Sequence, residues 1–91
     1  MVGGKTASGF EFEINPDKLK DARFLMEYAK IKAKGDEMGN LILIEQILGP
    51  EGFAELCKHC ENKDGIALID TVASEFKEIV GILSKDSETK N

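Results

Sequence analysis

The chain opens on alternation and then changes to steps of three and four. Phe10-Glu11-Phe12-Glu13-Ile14 sets apolar against acidic residues one by one, the period of a strand buried on one face. Val2 to Thr6 can pair back with it across an Ala7-Ser8-Gly9 turn. A two-stranded hairpin is marginal in water, so Phe10, Phe12 and Ile14 must press on helices or on another subunit.

Helical spacing follows. Asn15 can cap free N–H groups, Pro16 suits a first helical position and Asp17 complements the dipole. A helix is expected over 16–34, with Leu19, Ala22, Leu25, Met26, Ala29 and Ala33 on one stripe. Phe24, Tyr28 and Ile31 widen its apolar surface, which predicts contacts on a second side. Lys30, Lys32 and Lys34 favour its end, and Gly35 supplies a left-handed cap. A second helix is expected over 40–48, capped by Asp36 or Asn40, since Gly39 would weaken an earlier start by ~1 kcal/mol. Leu41 to Ile44 with Ile47 and Leu48 leave it almost no polar face, so it should be the most buried. Gly49-Pro50 separates it from a third helix over 50–62, Asn62-Lys63-Asp64-Gly65 reads as a turn, and a fourth helix follows over 67–83.

The expected fold is therefore a mostly helical α+β domain over 1–84: a short N-terminal hairpin or strand, then about four helices in a small bundle. Residues 85–91 are polar and expected to form a flexible tail. The expected core is Phe12, Leu25, Ile44, Ile47, Leu48, Phe53, Leu56, Ile69, Val72, Phe76 and Val80.

Composition narrows the function classes. A chain of 91 residues is one small domain. Its net charge of −5 offers few clustered cations to a phosphate backbone, so nucleic acid is not an expected partner. The Leu41-Ile42-Leu43-Ile44 run is far short of the ~20 residues that span a bilayer. Met1 to Lys5 leads into no apolar segment, so nothing suggests export. The expectation is a soluble, acidic, intracellular domain.

Candidate chemistry adds little. Cys57-Lys58-His59-Cys60 offers at most three zinc ligands where a structural site needs four, and no strand precedes it as in a thioredoxin-type motif. Phe53, Leu56, Cys57 and Cys60 fall at i, i+3, i+4 and i+7, the buried stripe of a helix on which a reduced cysteine packs as a small hydrophobe. His59 lies off that stripe, faces solvent and has no orienting partner nearby in sequence. None of Ser8, Ser74, Ser84 and Ser87 sits in a strained nucleophile turn. The carboxylate pairs Glu11/Glu13 and Glu75/Glu78 read as solvated faces. Asp36 to Asn40 lacks the ligand spacing of a calcium loop, Gly3-Gly4-Lys5-Thr6 lacks the first glycine of a phosphate loop, and Asp86-Ser87-Glu88 is misplaced for an acyl-carrier serine. No catalytic residue, metal or cofactor is expected.

The layout resembles that of the tail assembly chaperones of long-tailed phages and prophages of Gram-positive bacteria. The residues that carry the resemblance are Ser8-Gly9-Phe10-Glu11-Phe12-Glu13-Ile14, a helix entered at once through Asp21 to Tyr28, and Leu48-Gly49 before a short helix. The Asp64-Gly65 turn ahead of Val72-Ala73-Ser74-Glu75-Phe76-Lys77-Glu78-Ile79 completes it, and the whole spans about residues 7 to 82. Cys57 to Cys60 is not part of that pattern. The resemblance implies a protein without chemistry that coats the helical, aggregation-prone tape measure protein in the host cytoplasm. Tail tube subunits then displace it, and it is absent from the finished virion. Many such chaperones also occur in a longer, frameshifted form.

From the residues themselves, Phe10, Phe12, Phe24, Tyr28 and Ile31 are the candidate protein-interaction positions. An unpaired strand edge invites a second chain, so homo-oligomers built through the hairpin and the flank of the first helix are expected at high concentration. The alternative from another class is a small acidic helical adaptor or regulator that binds one host protein.

Overall fold

Alternation at the N-terminus forms the strand it predicts. In the computed structural model, which describes residues 1–36 and 38–88, β1 (Val2–Lys5) and β2 (Glu11–Ile14) pair antiparallel, Val2 opposite Ile14 and Lys5 opposite Glu11. Glu11 and Glu13 face solvent while Phe12 and Ile14 are buried. Helices cover that apolar face: β1 packs on the last helix and β2 on the second. Gly4 stands opposite Phe12, and a Cβ there would come within 2.9 Å of the Phe12 ring and 3.1 Å of Ile82.

The expected first helix is broken in two. Pro16–Lys20 forms a 3-10 helix, with Asn15 Oδ1 accepting from the Asp17 N–H at 3.0 Å. Asp21 then adopts an extended conformation and caps α1 (Ala22–Lys34), its carboxylate accepting from the Arg23 N–H at 2.8 Å. The break arises because Asp competes for backbone N–H groups and favours a cap over a helix interior. The Arg23 N–H, followed by its guanidinium, holds the Asp21 carboxyl below the usual carboxylate range. Gly35 ends α1 in the left-handed conformation.

Among the described residues there are three α-helices, not the four expected. The segments expected at 40–48 and 50–62 follow one another within a single element, α2 (Gly39–His59), whose two helical halves are parted by a non-helical Gly49 at φ 81° and ψ 164°, where the sequence places the break. That conformation is open to glycine, and Pro50 follows at a position where its missing N–H leaves no bond unmade. Neither of the two expected caps, Asp36 and Asn40, caps the helix: Met38 holds the cap position without a side-chain bond, and Asp36 Oδ1 instead accepts from the Met38 N–H at 3.1 Å in the turn ahead of it. Gly39 is set by packing, because a Cβ there would lie 2.7 Å from Ile31 Cγ1 of α1. The third expected segment stops at His59, three residues early, where Asn62 Oδ1 takes the N–H groups of Asp64 and Ile66 and closes the turn. α3 (Ile69–Glu88) starts later than expected and runs past 83. The expected flexible tail thus begins inside α3, and residues 89–91 lie outside the described residues.

The core sits between the hairpin, α2 and α3. Ile44, Leu56, Ile79 and Leu83 are fully buried, and Ile47, Val72, Phe10, Phe12, Ile14 and Cys60 join them. Of the expected core, Leu48, Phe53, Ile69, Phe76 and Val80 are only partly buried. Leu25 is not core at all, being 47% exposed. The reason is topological: α1 packs on α2 and on the 3-10 helix but makes few contacts with α3, so nothing closes over that side. Among the described residues no helix is long and apolar enough to cross a membrane.

Candidate functional site

Because α2 packs on both α1 and α3 while those two scarcely meet, a gap remains between them. It is an open groove of about 550 Å³. The buried side chains of Leu43 and Ile44 on α2 form its floor. Phe24, Leu25 and Tyr28 of α1 face Phe76 and Val80 of α3 across it. The Phe24 and Tyr28 rings stack with centroids 6.3 Å apart, and Lys32 Nζ lies 5.7 Å from the Tyr28 centroid, within reach of the ring's negative face. Phe24, Tyr28 and Lys32 are spaced by fours, so one face of α1 carries all three.

The structure divides the five sequence-chosen interaction residues. Phe24 and Tyr28 line the groove. Ile31 does not; it is packed against Gly39 in the α1–α2 contact. Phe10 and Phe12 are covered within the chain's own core, at 8% and 9% exposure, which removes the hairpin's apolar face from the expected self-association. Leu25, placed in the core by its spacing, lies in the groove instead, and Lys32 and Lys77 were not singled out. The i, i+4, i+8 series of Phe24, Tyr28 and Lys32 is the signal that marks this face.

A second cluster joins residues far apart in sequence. Glu75 Oε1 accepts the Thr6 hydroxyl at 2.8 Å and the Ser8 hydroxyl at 2.9 Å. Glu78 Oε1 accepts from the Ala7 N–H at 2.6 Å. Ser8 Oγ is also 2.9 Å from His59 Nε2, and the imidazole tilts against the Phe10 ring at 5.4 Å between centroids. His59 is exposed as expected but does have a partner, from 51 residues away. Glu75 and Glu78 are correspondingly not a plain solvated face.

Proton accounting defines what this cluster can do. Ser8 has one hydroxyl proton, and it goes to Glu75, so His59 Nε2 must carry a proton and donate. In a serine-hydrolase triad the histidine stands between hydroxyl and carboxylate; here the serine does. The arrangement clasps the hairpin turn to α3 and to the end of α2.

Cys60 is buried and Cys57 partly so, and both are free thiols. Burial, with Glu61 beside Cys57 and Glu75 beside Cys60, pushes both thiols above their ordinary range. That keeps them protonated and poorly nucleophilic. Among the described residues no three His, Cys, Asp or Glu side chains are grouped to hold a metal ion. No family model, no curated protein and no solved structure matches the chain.

Proposed function

We propose that this chain is a phage tail assembly chaperone and that the groove between α1 and α3 receives a helical segment of the tape measure protein. The observation that supports the reading is the groove itself. α1 has no buried residue, and its apolar side chains stand along a trough in which a helix can seat anchors at i, i+3, i+4 and i+7. Coverage by many copies would keep a long apolar cargo in solution in the host cytoplasm until tube subunits take their place, leaving the virion without it. The function is one of binding, with no catalytic step.

Co-expression tests it. A tape measure protein that is insoluble alone should become soluble with this chain and copurify with it, and Leu25→Asp/Tyr28→Asp should abolish both effects. Recovery of one host protein in place of the tape measure protein would establish the adaptor reading instead.

A further inference from the structure

The groove's charge runs against that of the molecule. The chain has 17 acidic and 12 basic residues, yet among the described residues the charged ones lining the groove are Lys32 and Lys77, without a carboxylate. One comes from each flanking helix, Lys32 from α1 and Lys77 from α3. Among the described residues neither lysine forms an ion pair.

Resting on the reading that this groove takes a helix, we infer that the helix it selects is acidic at its borders. It is an amphipathic helix whose apolar stripe is flanked on both sides by Glu or Asp. Seated with its stripe against Phe24, Leu25 and Tyr28 on one side and Phe76 and Val80 on the other, such a helix presents its border positions to the two lysine-bearing walls. Carboxylates there meet an ammonium on either side, and lysines there meet like charge. The lysine stems meanwhile lie along apolar surface. Rim charges of this kind govern partner choice and association rate more than total affinity. The groove's openness favours a helix over a small amphiphile. Small-molecule sites bury roughly 70–90% of their ligand, whereas Leu25 and Tyr28 on this wall remain 47% and 42% exposed.

The test uses the full chain and two labelled peptides of about 18 residues, five helical turns. They share one Leu-rich stripe and differ only in having Glu or Lys at its borders. Fluorescence anisotropy at low salt should show the Glu-bordered peptide binding about tenfold more tightly, the scale of two rim pairs gained against two repulsions. The preference should shrink at about 0.5 M salt. Lys32→Glu/Lys77→Glu should reverse it. Lys30→Glu/Lys34→Glu, an equal charge change at exposed α1 positions outside the groove lining, should leave it intact, with circular dichroism showing that both variants keep their helices. Equal binding of the two peptides, or a preference unmoved by the Lys32/Lys77 exchange, overturns the inference and leaves the groove reading standing. Binding of neither peptide overturns both, and laurate binding in that case assigns the groove to an anionic amphiphile.

Discussion

The hairpin and α1 present similar residues to the eye and use them in opposite ways. Phe10, Phe12 and Ile14 are buried under α2 and α3, and the turn above them is tied down by Glu75, Glu78 and His59. α1 is a longer element with Phe24, Leu25, Met26 and Tyr28, yet none of its residues is buried. A small domain has little interior to share, and here the hairpin takes the place over α2 and α3 that α1 would need. The contrast teaches that α1 leaves Leu25, Met26 and Tyr28 exposed, two of them beside the groove, while Ile42, Ile66 and Leu68 are exposed elsewhere.

The largest effect expected tests that contrast directly. Phe12→Ala should destabilise the fold by about 3–5 kcal/mol through loss of burial and a residual cavity. Leu25→Ala, at an exposed position, should change stability by less than about 1 kcal/mol. Urea denaturation measures both, and equal losses would break the comparison.

The clasp comes next. Thr6 is 4% exposed, and its Oγ1 donates to Glu75 while accepting the Phe10 N–H at 3.1 Å. Thr6→Val keeps the shape and removes both bonds, so a loss of about 1–3 kcal/mol is expected. Glu11→Gln on the solvent face of β2 serves as the control, within about 0.5 kcal/mol of the parent.

Smaller effects follow from the titrating groups. Cys57 should be alkylated before Cys60 in the native protein, and both slowly compared with the unfolded chain, as mass spectrometry after timed labelling can show. Because folding raises both thiols, their contribution is complete below the ordinary thiol range and is lost as pH rises through the raised values. Cys57→Ala/Cys60→Ala should bind its partner as the parent does.

Asp21 has the opposite sign and the smallest effect. Its carboxyl is lowered in the fold, so its cap on α1 holds above the ordinary carboxylate range and is lost as pH falls through the lowered value. Hydrogen exchange should then show α1 opening ahead of α2 and α3. Opening of all three together would show α1 to be tied to the core more tightly than its exposure implies.

Local signals explain why some elements were legible. Period two marked β2, and Asn15-Pro16 and Gly35 marked real boundaries, because each depends on neighbours in sequence. Gly49-Pro50 marked a true interruption, but whether a bend separates two helices or lies within one depends on how both halves pack. Leu25 was misplaced for a related reason. Spacing reports which residues share a helix face, and only the neighbouring elements decide whether that face is covered. Ser8, His59 and Glu75 carried no mark, since nothing within a few residues of any of them predicts the others.

Periodicity alone was enough for a mostly helical chain with a half-buried N-terminal strand, a buried segment around Ile44 and Ile47, and a Cys60 turned inward at the end of α2. Periodicity, like capping, acts over one or two turns. Only the tertiary structure decided that Phe12 is interior and Leu25 is not, that the hairpin turn is clasped by Glu75 and His59, and that α1 and α3 leave a groove bordered by Lys32 and Lys77. Those outcomes depend on which elements compete for one small core, and that competition is resolved by packing between residues distant in sequence.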